Sequence, residues 1–300
     1  MAKVGDNRFI RLDWAMKRIL RDKANFEVLE GFLSELLRQD IHIDDLIESE
    51  GNQRYQDDKF NRVDLKARND KGEIYIFEVQ IARQSDFLKR ILYGVSKAIT
   101  EQMSMHDKYE RIQKVYSVSI LYFDLGEGED YIYHGKTVFK GYHDDAPLAL
   151  SDKEKEDIGF SEPTSFYPEY YLIRVNGFNK VAKTPLDEWI EYFRSGTIPD
   201  KPKGKGLAQA REKLDTLNMT REEMNAYEDY MHMLASYESD YQKNMQLSHD
   251  KGLAEGRAEG RAEGEDLKAK EIAGKMLEAG LPVKQIAAIT GLPADIIKNM

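Results

Sequence analysis

Residues 61–81, NRVDLKARNDKGEIYIFEVQI, decide how the chain folds. They read as two β-strands joined by a tight turn. Val63, Leu65 and Ala67 alternate with Asp64, Lys66 and Arg68, and 74–81 is rich in β-branched and aromatic residues. Asn69-Asp70-Lys71-Gly72 between them is turn chemistry: glycine tolerates positive φ, and Asn or Asp side chains bond their own backbone. Side chains alternate faces along a strand, so Glu78 and Gln80 share one. An antiparallel register that sets Asp64 opposite Glu78 requires a turn of odd length or a bulge. Two converging carboxylates repel unless a proton or a cation lies between them, and a hard divalent cation with oxygen ligands suits the pair. The plainer alternative leaves both on a half-exposed sheet, each beside Lys66 or Arg68.

Composition narrows the classes around this hairpin. The 300 residues allow one large domain plus an appendage, or two modest domains. No run of apolar residues is long enough to span a membrane. The N-terminus lacks the apolar region of a signal peptide. There is no cysteine, which removes disulfides and thiolate metal sites and fits a cytoplasmic location. The formal net charge of −10 argues against a general nucleic-acid coat. The charge is uneven. Residues 1–124 hold 21 Lys/Arg against 22 Asp/Glu, and the remainder holds 23 against 32. A local basic face near the hairpin therefore stays possible.

Working outward, 13–21 and 25–39 read as helices, the second with Phe26, Leu29, Leu33, Leu36 and Leu37 at helical spacing and Asn25 as N-cap. Glu30 lies on it near the apolar stripe. A first strand falls somewhere between Ile41 and Phe60. After the hairpin, 86–105 is a long helix, capped by Ser85, whose stripe runs Phe87, Leu88, Ile91, Leu92, Val95, Ile99 and Met103. Arg90, Tyr93 and Gln102 sit on or near that stripe. Residues 115–123 form an apolar strand. A further hairpin is expected around Gly135, then an acidic loop over 144–168, a strand at 170–175 and a short helix at 185–194. The Pro-, Gly- and Lys-rich 199–206 reads as a linker. The expected organisation is a 1–198 domain, that linker, a helical 207–270 segment and a 271–300 tail.

The C-terminal part is helical in pattern. Thr220 and Glu223 form a capping box. Glycines 252, 256, 260 and 264 recur every fourth residue, and each costs a helix about 1 kcal/mol relative to alanine. Either a partner helix approaches closely there, making a homo-oligomer through the C-terminal helices, or the stretch is a flexible charged tether. The tail, with its GLPVKQIAAITGLP, resembles a helix-turn-helix segment of resolvase-like proteins.

Asp64, a turn, then Glu78-Val79-Gln80 resembles the D…(D/E)xK signature of the PD-(D/E)xK nuclease superfamily. With Phe87…Arg90…Tyr93 and the glycine-spaced tail, the chain is similar to its recombination-promoting nuclease/transposase family over nearly its whole length. The resemblance implies an α/β, restriction-endonuclease-like core of order αβββαβ with a helical C-terminal extension. It implies a Mg²⁺-dependent DNA endonuclease (Mn²⁺ or Ca²⁺ as substitutes), associated with recombination or mobile elements, on double-stranded DNA. It also implies metal ligation by Asp64, Glu78 and the Val79 carbonyl, with Glu30 as an extra acidic ligand. Gln80 stands where lysine is usual and can orient water but adds no charge. Arg90 and Tyr93 would lie beside the acidic pair, Arg90 meeting a phosphate; their plain alternatives are a structural ion pair and a core tyrosine, and Glu30's is a rim glutamate.

Other chemistries lack support. The six histidines show no ligand spacing, and HxxxH, CxxC, GxxxxGK and GxSxG patterns are absent. The rival reading is a catalytically weak DNA-binding or oligomeric assembly protein that retains the nuclease fold.

Overall fold

The computed structural model describes residues 9–18, 20, 22–47, 64–104, 106–178 and 181–300. Part of the expected first strand region and Asn61 to Val63 of the hairpin lie outside these residues. The elements in chain order are α1 (Leu12–Arg18), α2 (Phe26–Leu37), β1 (Ile43–Ile47), β2 (Leu65–Asn69), β3 (Ile74–Gln80), α3 (Phe87–Thr100), β4 (Val115–Leu121), β5 (Ile132–Lys136), α4 (Asp152–Ile158), β6 (Glu169–Arg174), α5 (Pro185–Ser195), α6 (Leu207–Lys213), α7 (Arg221–Glu278), α8 (Val283–Thr290) and α9 (Ala294–Lys298). Helix, three strands, helix, strand is the expected core order.

The β2–β3 turn sets the register. Asn69 Oδ1 accepts from the amides of Lys71 (3.1 Å) and Glu73 (2.8 Å), and Asn69 N donates to Glu73 O at 3.1 Å. Only Asp70, Lys71 and Gly72 lie between that pair, and Gly72 has φ +83°. The turn is thus odd in length, and it places Leu65 opposite Phe77 and Lys66 opposite Ile76. β1 pairs antiparallel with β2, while β3, β4 and β6 run parallel, giving the sheet order β1-β2-β3-β4-β6-β5. α3 makes the crossover that parallel β3 and β4 require.

The two faces of the sheet differ in kind. On one, Phe77 and Ile120 meet Leu29 and Phe32 of α2 and Trp189 of α5 in a dry apolar layer. Phe32 packs edge-on to Phe193, centroids 5.0 Å apart. On the other, α3 lays Val95 and Ala98 on Ile74, Ile76 and Val115, and Phe87 and Ile91 on Leu121 and Phe123. Lys66, Ile76 and Glu78 also face α3, because period-two alternation carries them there.

Several expectations are corrected. No hairpin forms around Gly135: it lies within β5, which pairs antiparallel with β6, Gly135 opposite Tyr170. A glycine can mark a turn or merely a strand position beside a bulky neighbour, and here it is the second. The acidic 144–168 stretch contains α4, started by a Ser151–Glu154 capping box. α3 ends five residues earlier than expected, and its N-cap is Asp86, not Ser85. Asn25 occupies the N-cap of α2 but makes no side-chain cap bond.

The 199–206 segment, a linker by composition, is anchored at its C-terminal end, where Gly204 and Gly206 are buried. Trp189 Nε1 donates to Lys205 O at 3.0 Å, and Lys205 N donates to Glu35 Oε1 at 2.9 Å. Gly206 (φ +79°) meets Gly31 of α2 so closely that a Cβ on Gly31 would stand 2.4 Å from Gly206 Cα. The chain divides into compact units further along, Met1–Tyr227 and Glu228–Met300.

Thr220 and Glu223 do cap α7: Glu223 N donates to Thr220 Oγ1 at 3.2 Å and Thr220 N to Glu223 Oε2 at 2.8 Å. This helix runs for 58 residues, and the four spaced glycines are inside it, with nothing within 4 Å of an added Cβ. In the second unit Ala273, Ile286, Leu292 and Ile297 form a small core that folds α8 and α9 onto the end of α7. Among the described residues no helix is long and apolar enough to cross a membrane.

Two glycine substitutions should move stability in opposite directions. Gly31→Ala forces two backbones apart and should lower stability by about 1–3 kcal/mol in urea unfolding. Gly256→Ala on the open helix face should raise helix stability by about 1 kcal/mol, read by circular dichroism during heating. A loss at Gly256 would instead mean that a partner helix packs there.

Candidate active site

The site lies where β2 begins and β3 ends. Asp64 immediately precedes β2. Its amide donates to Phe77 O at 3.1 Å, and its Oδ2 accepts the Val79 amide at 2.6 Å. Asp64 is therefore clasped by the residues on either side of Glu78. In a strand, the N–H and C=O of one residue point to the same neighbour. The Val79 carbonyl therefore faces the β2 side, where Asp64 sits.

Glu78 projects to the α3 face and is only 8 % exposed. Burial pushes its carboxyl above the usual range. The nearby Asp64 carboxylate pushes the same way, and Arg90 pulls down without cancelling the two. The sign matters: a carboxyl raised on folding destabilises the folded chain when ionised, and the cost disappears as pH falls through the raised value. Glu78 is consequently a buried carboxyl whose charged form the fold disfavours.

Arg90, in the first turn of α3, offsets part of that penalty. One nitrogen, Nη2, donates to both Glu78 Oε1 and Gln80 Oε1, the latter at 2.6 Å. Nη1 donates to Gln84 Oε1 at 2.6 Å, and the guanidinium carbon lies 5.5 Å from the Phe87 ring centre. Its buried Nε has no hydrogen-bond partner. Gln80 turns its amide nitrogen to Ala82 O at 2.8 Å, so its oxygen faces Arg90. Asp64, Glu78, Val79, Gln80 and Arg90 are thus brought together. The half-exposed alternative does not hold for Glu78. Lys66 does not neutralise the pair either; it is buried and bonded to Glu101 Oε2 at 2.7 Å.

Tyr93, one turn along α3, is 37 % exposed on the solvent side. Glu30 is placed apart: its Oε1 accepts the Ile43 amide at 2.8 Å, holding the start of β1 against α2. Among the described residues no group of three or more His, Asp or Glu side chains could hold a metal ion. Gln102 bonds the backbone of Gln113 twice, through Nε2 at 3.1 Å and Oε1 at 2.7 Å, which anchors the approach to β4.

Two neighbours were not singled out from sequence. Ser119 on β4 is level with Glu78 and shares its face; its hydroxyl is buried and without a partner. The alternation in VYSVSIL, with both serines on one face, is a signal that could have found it. Gln84 lies in the irregular 81–86 segment, where no periodicity announces which way a side chain points.

The family described as PD-(D/E)XK nuclease family transposase matches residues 10–245. The chain belongs to this family. No curated protein and no solved structure matches it significantly. Membership, together with the six-stranded mixed sheet, identifies a PD-(D/E)XK nuclease fold and points to nuclease-like or mobile-element-associated function. The family match ends within α7, so α8 and α9 lie beyond it.

Carboxyl titration followed by NMR should find Glu78 taking up its proton at higher pH than the exposed glutamates of this family member. Asp64→Asn should lower the Glu78 midpoint, because a repelling charge is gone. A midpoint indifferent to that substitution would show that the two carboxylates do not interact.

Proposed function

We propose that the chain is a Mg²⁺-dependent endonuclease that hydrolyses phosphodiester bonds of double-stranded DNA in recombination or mobile-element processes. The observation that carries this reading is the clasp of Asp64 against β3 beside the buried Glu78, whose charged form burial disfavours. The donor set fits a hard cation. Two carboxylates and a backbone carbonyl are oxygen ligands of the kind Mg²⁺ takes, and Mg²⁺ commonly keeps several waters, so a third carboxylate is not required.

In this reading Asp64, Glu78 and the Val79 carbonyl hold the ion. Glu30 would join them only by giving up the Ile43 amide. The ion supplies positive charge to the scissile phosphate and an acidified water. The chain's own residues do the rest. Val79 N fixes the Asp64 carboxylate. Arg90 meets the phosphate through charge-assisted hydrogen bonds. Gln80 orients water or Arg90 through its amide, and being neutral it is not the base. Tyr93, on the open side of α3, contacts the nucleic acid.

Supercoiled plasmid incubated with the protein should be nicked in Mg²⁺ and left intact in EDTA. Asp64→Ala and Glu78→Ala should each reduce nicking to background while the protein stays folded. Binding of DNA without Mg²⁺-dependent nicking would favour an assembly or DNA-binding protein instead. Nicking that survives both substitutions would place the chemistry elsewhere.

A further inference from the structure

The guanidinium of Arg90 occupies the place a cation would take. Its Nη2 touches the carboxylate of Glu78 and the amide oxygen of Gln80, the two side chains of the E-x-Q stretch that point to this face. A guanidinium and a divalent ion cannot both sit on one carboxylate oxygen without like-charge repulsion. The hold is also incomplete. Nε is buried with no partner, a donor left over that an anion would satisfy. Gln84 grips the other end of the fork through Nη1. Gln84 is exposed and is joined to neither Glu78 nor Gln80, so it can keep its grip when they let go.

The identity of residue 80 follows from the same contact. A lysine there would set an ammonium against the guanidinium at hydrogen-bond distance. A glutamine instead offers an oxygen to Nη2 and anchors its own nitrogen on Ala82 O. The positive charge that residue 80 lacks is already present, on α3.

We propose that Arg90 is the built-in counter-ion of the site: it occupies Glu78 and Gln80 until a divalent cation takes Glu78, and Gln84 then keeps the released guanidinium beside the site for an anion. Arg90 and the metal thus compete for Glu78, and Gln80 and Gln84 are positioning residues for Arg90. This rests on the reading of Asp64 and Glu78 as cation ligands.

The test is Mn²⁺ binding to the full chain by calorimetry, without DNA. Arg90→Met should bind Mn²⁺ about tenfold more tightly than wild type or better, since a competing charge in contact is removed. Arg90→Lys, which keeps the charge, should stay near wild type. The double variant Asp64→Asn, Arg90→Met should lose the gain, which places the tightened ion at this site. Gln80→Ala removes a hydrogen bond that Arg90 makes only while it sits on Glu78, and should tighten binding about threefold. Gln84→Ala removes a bond kept in both states and should leave the affinity near wild type. Should Arg90→Met fail to fold, Gln80→Ala decides alone.

Affinity unchanged or weakened in Arg90→Met, with wild-type binding still abolished by Asp64→Asn, overturns the counter-ion and leaves the metal site standing. Unchanged or weaker binding in Gln80→Ala does the same where that variant decides. If neither wild type nor Arg90→Met binds Mn²⁺ in an Asp64-dependent way, both readings fall.

Discussion

The site depends on one backbone hydrogen bond. The Val79 amide holds the Asp64 carboxylate at the edge of β3, one residue from a glutamate buried on the same sheet. That bond brings a second negative charge toward a group already disfavoured by burial. Ionising Glu78 there carries a cost, and Arg90 offsets only part of it. A buried carboxyl disfavoured in this way beside a second carboxylate is the feature from which the proposed cation site is argued.

The two faces of the sheet divide the work. The α2–α5 face is apolar and close-packed, with Phe32, Trp189 and Phe193 in mutual ring contact and the 205–206 backbone pressed onto Gly31. The α3 face mixes apolar contacts along α3 with polar groups, among them the buried Glu78, Ser119 and Lys66 and the half-buried Arg90. An apolar layer packs behind β3 while the front carries charge. The crossover from β3 to β4 sets the first turn of α3 over the C-terminal end of β3, which is why a residue twelve positions after Glu78 can reach it.

How much of this could be read in advance follows from the range of the forces involved. The hairpin was legible because its determinants are local: Asn69 and Gly72 build the turn, the turn sets the register, and the register sends Glu78 and Gln80 to one face. Arg90 was legible as a position on a helix stripe, but its actual partners depend on how α3 crosses the sheet. Gln84 was not legible, since its direction is set by Arg90 and not by any repeating pattern. Gly135 and the 199–206 stretch show the same limit. Glycine and proline mark turns and tethers, yet they also permit close approach, and only the neighbour, Tyr170 in one case and Gly31 in the other, tells which. The glycines of α7 pose that question without a neighbour to answer it, because their surroundings in the chain are open.

The central claim is that Asp64, Glu78 and the Val79 carbonyl form one cation site. Crystals soaked in Mn²⁺ and measured for anomalous scattering address it most directly. The account predicts a peak within coordination distance of both carboxylates and of Val79 O, with the Arg90 guanidinium withdrawn from Glu78. Arg90 still seated on Glu78 at saturating Mn²⁺, with no peak between the two carboxylates, would contradict it.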